Sequence, residues 1–155
     1  MEEGRQVIVK FATKYGKKVH EFCALQGFAP KLLACEKLPS EWFFIVMEKV
    51  DQLQLLTVVV DQHRPKILDD LKTIKKRLCD VKFVDGDLRE GNVLWDVRSE
   101  QVVLIDFDWA GKENKGVYPP FMNNAIKWPD GAESEMPLRV EHEYWFKKLV
   151  KRLDV

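Results

Sequence analysis

Asp87, Asn92 and Asp106 form the most chemically loaded pattern in this chain. Asp87 and Asn92 stand five residues apart in the polar loop D-G-D-L-R-E-G-N, and Asp106 follows fourteen residues later, at the end of the apolar run V-V-L-I. Carboxylate and amide oxygens are hard donors. Magnesium takes one or two such ligands from protein and fills its octahedron with phosphate oxygens and water. Asn92 and Asp106 fit that demand. Asp87 is then the separate carboxylate that accepts or orients the proton of an attacking hydroxyl. The chemistry this set could perform is phosphoryl transfer to a hydroxyl. Asp-Gly and Gly-Asn pairs also build ordinary turns, and Asp106 and Asp108 could cap one. The agreement of spacing, loop polarity and flanking apolar runs favours the chemical reading.

Three such groups meet only if the chain returns on itself. Val93 to Trp95 and Val102 to Phe107 read as strands joined by a turn at Arg98 to Glu100, with Lys82 to Val84 as a further short strand. Upstream, Gln6 to Phe11 is a β-branched strand and Lys14 to Gln26 a short helix stopped by Gly27. Lys31 to Leu38 and Trp42 to Glu48 form a hairpin around Pro39-Ser40-Glu41. Leu53 to Cys79 contains the strongest helix, because Ile67, Leu71, Ile74 and Leu78 make one apolar stripe. Lys72, Lys75, Lys76 and Arg77 on its other face read as solvated, and Leu53 to Val60 as buried or as a contact surface. Gly111 to Arg139 reads as irregular but ordered, pinned by Tyr118, Phe121, Trp128 and prolines. Glu141 to Leu153 closes as an amphipathic helix with Tyr144, Trp145, Leu149 and Leu153 apolar. The plan is α+β, one domain over 1–155 with a cleft between two unequal lobes.

Composition narrows the function classes. The 155 residues are 46% hydrophobic, and 25 basic residues balance 25 acidic ones. A core is affordable, and no basic field exists for nucleic acid. Cys23, Cys35 and Cys79 match neither a disulfide framework nor zinc spacing, so they read as reduced thiols. The polar start M-E-E-G-R-Q has no apolar signal core, and no run approaches the ~20 apolar residues of a membrane helix. The expected setting is cytoplasmic or nuclear. His20, His63 and His142 have no ligand spacing and read as surface or satisfied histidines.

The strings G-D-L-R-E-G-N-V-L and I-D-F-D-W-A-G resemble the protein-kinase-like superfamily, especially its aminoglycoside and choline kinase branch. With V-I-V-K-F, F-A-P-K-L-L, V-M-E-K-V and Y-P-P-F-M-N they look similar to small fungal kinase-like proteins and to the kinase-like part of Crinkler-type effectors. The resemblance runs from about Val7 to the terminal helix. It implies a kinase-like fold with ATP and Mg2+ (or Mn2+) as cofactors. Residues 1–50 would be a reduced N-terminal lobe and 51–155 a small helical C-terminal lobe. Lys10 resembles the strand lysine that contacts nucleotide phosphates. Met47, Glu48, Lys49 and Val50 resemble the hinge that holds adenine. Asp87 resembles the catalytic base, Asn92 and Asp106 the metal ligands, and Asp108 either a second acid or a turn cap. Arg89 would touch a transferred phosphate or pair with Glu90 or Asp85.

Three departures from that pattern bear on function. The first two strands of the usual N-terminal lobe and their glycine-rich phosphate loop are absent from this sequence. Asp85 stands where the family carries a histidine, adding negative charge near Asp87 and Asp106. The helix acid expected to hold Lys10 has Glu21 as its best candidate. The expectation is therefore a minimal ATP-dependent phosphotransferase acting on a hydroxyl acceptor. The alternative is a catalytically impaired pseudokinase that works by protein interaction, as an effector delivered to a host would. The exposed strand at Val7 to Phe11 also invites completion in trans, by a second copy or a partner.

Overall fold

A computed structural model describes residues 4–59, 61–142 and 144–153 of the chain. The β-branched run near the start forms β1 (Val7–Ala12), and α1 (Lys17–Leu25) follows it. Gly27 ends α1 in the left-handed conformation (φ 80°), with the Phe28 N–H reaching back to the Cys23 carbonyl at 2.9 Å. That closing bond satisfies a carbonyl the last helical turn would leave open. β2 (Leu32–Lys37) and β3 (Phe43–Glu48) make the expected hairpin, with Glu41 in the left-handed region at its tip (φ 65°). The three strands are antiparallel in the order β1-β3-β2, and Lys10 stands opposite the fully buried Ile45.

α2 (Arg64–Asp80) is the long helix, and Ile67, Leu71, Ile74 and Leu78 are all buried as the stripe requires. Pro65 sits in its first turn, where a missing N–H costs nothing. The helix starts later than the apolar sequence does. Leu53–Leu55 forms β4 and Leu56–Val58 a 3-10 turn, with Leu55 and Val58 exposed; Val60 lies outside the described residues. The basic face of α2 is engaged locally. Lys76 pairs with Asp80, Lys75 lies 4.6 Å from the Phe146 ring centre, and Arg77 reaches Gln26.

β5 (Phe83–Val84), β6 (Val93–Asp96), β7 (Gln101–Leu104) and β8 (Gly111–Lys112) complete the strands. One sheet runs β4-β6-β7 and a small one pairs β5 with β8. β7 stops at Leu104, short of Phe107, because Asp106 adopts φ 64° and breaks the extended backbone. The buried Asp70 carboxylate of α2 accepts the Val102 N–H at 3.0 Å, which fixes the helix to β7. The irregular stretch after β8 is pinned by buried Tyr118, Ala132 and Leu138 against Val84, with Trp128 packed on Trp109. Phe121 is no anchor: it is 91% exposed. Pro119 and Pro120 before it have no N–H with which to tie that loop inward.

α3 (Tyr144–Leu153) begins after a 3-10 turn at Val140–His142, and packs Phe146 and Leu149 toward α2. The expected apolar side chains of Tyr144 and Trp145 lie outside the described residues. One buried cluster connects Ala12, Val19 and Ile45 with the α2 stripe, Trp95, Leu104, Phe107 and Leu149. Cys23, Cys35 and Cys79 form no disulfide.

Candidate functional site

The hairpin of β6 and β7 brings the two halves of the polar pattern together. Asn92 precedes β6, and the Ile105 N–H after β7 donates to the Asn92 carbonyl at 3.0 Å. Asp106 is therefore one residue from a backbone bond to the Asn92 loop. Within the loop, the Asn92 amide donates to the Asp87 carbonyl at 3.0 Å and to the Asp87 carboxylate at 3.1 Å. The Asp87 N–H in turn donates to the Asp85 carboxylate at 3.1 Å. Asp85, Asp87 and Asn92 are all buried. Gly86 between the acids needs its glycine: its φ is 82°, and a Cβ there would stand 2.9 Å from the Trp109 carbonyl oxygen.

Lys10 arrives from the other sheet, on the β1 face that shares Ile45. Its ammonium lies 2.9 Å from an Asp106 carboxylate oxygen and 2.6 Å from one of Asp108. Five sequence-selected residues therefore meet: Lys10, Asp87, Asn92, Asp106 and Asp108. Glu21 takes no part. It pairs with Lys17 at 3.9 Å on the surface of α1, because Lys10 has two nearer carboxylates. Arg89 does not pair with Glu90 or Asp85 in the manner expected; its Nε stands 3.1 Å from Asp87. Glu90 pairs instead with Arg152 of α3.

The charges shape one another. Burial pushes the Asp87 carboxyl up to about 6, with Asp106 and Asp108 adding to the rise and Arg89 and Asn92 opposing it. Burial alone would raise Asp106, but the Lys10 hydrogen bond and charge outweigh it and hold the group below the ordinary carboxylate range. Asp108 is raised, by burial first and by the Asp106 charge second among the raising causes. Desolvation would lower Lys10; its bonds to both acids win and raise it.

Two features that support the site carried no motif. The His20 ring of α1 stacks on Phe107, between the two acids, at 4.6 Å and 9° between planes. Its Nε2 lies 2.7 Å from the Pro30 carbonyl, which can only accept, so that nitrogen carries the proton. Nδ1 then accepts from the Tyr15 hydroxyl at 2.6 Å. This histidine is fully buried and satisfied. The available signal was its place on the same helical face as Cys23. Gly16 completes the contact: its N–H donates to the Phe107 carbonyl at 2.8 Å, and a Cβ would fall 2.5 Å from Ala110.

The Met47 to Val50 stretch is tied to its sheet. The Glu48 N–H donates to the Lys31 carbonyl at 2.9 Å and the Lys49 N–H to the Gln6 carbonyl at 3.3 Å. The Lys49 ammonium also reaches the Gln6 side chain at 2.7 Å, and Glu48 pairs with Arg5.

Asp106 and Asp108 already hold one cation between them, the Lys10 ammonium. Among the described residues no group of three or more His, Cys, Asp or Glu side chains is placed to hold a metal. Two carboxylates and the Asn92 amide still suit magnesium, which draws its other ligands from phosphates and water.

No family model matches this chain, and no curated protein matches it. Solved structures do. One is the kinase PK-1 of the Cydia pomonella granulovirus, with a TM-score of 0.71 and 14% identity, over 97% of this chain and 61% of that one. The fold is kinase-like. The chain spans about 61% of that kinase's length. No helix among the described residues is long and apolar enough to cross a membrane.

Proposed function

We propose that this chain is a minimal ATP- and magnesium-dependent phosphotransferase that moves a phosphoryl group to a hydroxyl acceptor. The observation that carries the proposal is the Lys10 ammonium bridging Asp106 and Asp108 (2.9 and 2.6 Å) beside the buried Asp87–Asn92 pair. The kinase-like fold supports it. Residues 1–155 form one domain in this reading, with 1–50 a reduced N-terminal lobe and 51–155 the C-terminal lobe.

Each side chain has a part. Asp87, with its carboxyl near 6, is mostly ionised at neutral pH yet basic enough to take the acceptor hydroxyl's proton. Lys10 turns from the acids toward the transferred phosphate and neutralises its charge. Asp106, Asp108 and the Asn92 oxygen would hold magnesium, which when bound neutralises the phosphates. Adenine would lie along Met47, Glu48, Lys49 and Val50, meeting carbonyls and Val50 rather than the two N–H groups the sheet occupies. The deciding test is magnesium-dependent ATP turnover by the purified chain. Turnover abolished in Asp87→Ala, with the fold retained, supports the assignment; wild-type turnover unchanged in that variant overturns it.

A second reading has an observation of its own. The Glu48 and Lys49 N–H groups are committed to the sheet. That suits a pseudokinase that acts by protein contact, in an intracellular effector setting such as the Crinkler-like one. Partner binding that survives Asp87→Ala, in a protein that takes no nucleotide, would favour it.

A further inference from the structure

Among the described residues the Lys10 ammonium pairs with two carboxylates and no others, Asp106 at 2.9 Å and Asp108 at 2.6 Å. Glu21, the acid of the neighbouring helix, is committed to Lys17. Arg89 serves Asp87, at 3.1 Å. The paired charge of Asp106 and Asp108 is thus answered by Lys10. Its side chain is only 28% exposed, on a strand position opposite the buried Ile45. An ammonium in that setting needs an anion beside it.

The acids are the fixed members of this trio. Asp106 stands at φ 64°, a costly backbone conformation for a residue with a side chain, so its surroundings must hold it there. On one side the Ile105 N–H donates to the Asn92 carbonyl at 3.0 Å. On the other, the Phe107 carbonyl accepts from the Gly16 N–H at 2.8 Å and the Ala110 N–H at 3.2 Å. Phe107 itself is buried between the acids and stacked on His20. The Lys10 backbone is fixed as well, in register with Ile45, but its ammonium ends a flexible four-carbon stem. Of the three charged groups, the cation is the one that can swing away with no backbone bond broken.

We propose that Lys10 is an internal counter-cation that excludes free divalent metal from Asp106 and Asp108, and that it gives way only when the phosphates of a nucleotide offer its ammonium another anion. This regulation rests on the phosphotransferase reading above. A divalent ion taken up alone would sit beside the Lys10 ammonium and strip it of both its partners, leaving a largely buried charge uncompensated. Nucleotide taken up alone would draw Lys10 to its phosphates and leave two bare carboxylates next to them. Taken up together, each ligand removes the penalty of the other. By linkage the coupling is reciprocal, so the site answers to the pair and rejects either partner alone. Had Glu21 held Lys10, the two acids would stand open to metal at all times.

Mn2+ reads the exclusion with no nucleotide present, because it takes the same oxygen ligands as magnesium and its free form is counted directly by electron paramagnetic resonance. Lys10→Met keeps the stem and drops the charge. It should bind Mn2+ at least about tenfold more tightly than wild type, the effect of deleting a unit charge at salt-bridge distance from both acids. Lys10→Gln should show the same gain, and Lys10→Arg, which keeps the charge, should stay near wild type. The gain should vanish in Lys10→Met/Asp106→Ala, with thermal unfolding showing that each variant is folded. Equal Mn2+ affinity in wild type, Lys10→Met and Lys10→Gln overturns the exclusion and leaves the phosphotransferase reading in place. A gain that persists in the double variant, or appears equally in Lys10→Arg, overturns it in the same way. No uptake by Lys10→Met or Lys10→Gln at millimolar Mn2+ overturns both, because Asp106 and Asp108 are then no metal site.

Discussion

Replacing Asp87 by asparagine should make the protein more stable while removing its proposed activity. The carboxyl is buried, and burial raises it from 3.8 to about 6. A raised carboxyl means the folded state binds the proton more tightly than the unfolded chain does. Ionised Asp87 therefore opposes folding above its folded value, and the penalty is relieved as pH falls through 6 toward 3.8. The difference of roughly two units corresponds to about 3 kcal/mol at pH ~8. Integrating the same linkage leaves about 1.6 kcal/mol at pH ~5 and about 0.6 at pH ~4. Asparagine keeps an oxygen for the Asn92 amide, which donates to Asp87 at 3.1 Å, and carries no charge to desolvate. The Arg89 partner it loses is largely solvated and is worth at most about 1 kcal/mol. Urea denaturation of wild type and Asp87→Asn, followed by the fluorescence of the five tryptophans, measures the gap at each pH. The variant should be more stable by about 2–3 kcal/mol at pH ~8, with the advantage shrinking steadily toward pH ~4. An advantage that does not change with pH, or a less stable variant at pH ~8, would refute the argument from burial.

The remaining predictions concern the supports of the site. Gly16→Ala places a Cβ 2.5 Å from both the Cβ and the carbonyl oxygen of Ala110. It should cost about 1–3 kcal/mol in thermal or urea unfolding by prising α1 from the Phe107 segment, and a change within about 0.5 kcal/mol would show that the contact yields freely. His20→Leu leaves the buried Tyr15 hydroxyl and the Pro30 carbonyl without their partner. Calorimetric unfolding should show a loss of about 2–4 kcal/mol, and a neutral result would mean the polar relay contributes nothing beyond packing. Leu71→Ala, at a fully buried point of the α2 stripe, should cost about 2–5 kcal/mol by chemical denaturation; a cost under about 1 kcal/mol would mean the stripe is not the centre of the core.

Where the sequence was legible, local chemistry and tertiary structure pointed the same way. The α2 stripe, the Gly27 stop and the hairpin at Pro39-Ser40-Glu41 each rest on periodicity or turn residues, and all three stand in the structure. The same holds for the return of β6 and β7 that gathers Asn92 and Asp106. What was hidden depends on distance in space. Glu21 looked suitable for Lys10 because only a nearby helix acid is visible in sequence, whereas Asp106 and Asp108 lie 96 and more residues away and win on proximity. Of the nearby acids, Glu90 and Asp85 were the expected partners of Arg89, and its turn aims it at Asp87 instead. Phe121 reads as an anchor by type, yet nothing in a diproline loop draws it inward. His20 carries no motif, and its stacking on Phe107 follows from the close approach of α1 at Gly16, which only a three-dimensional contact reveals.

The central claim is that Lys10, Asp87, Asn92, Asp106 and Asp108 form a nucleotide and metal site. The most direct test is a calorimetric titration of ATP into wild type and Asp106→Ala, with and without magnesium. The account predicts binding to wild type that requires magnesium and weakens at least about tenfold, or about 1.4 kcal/mol, in the variant. Wild type that takes up no ATP at millimolar magnesium, or an Asp106→Ala protein that binds it equally well, would contradict the account.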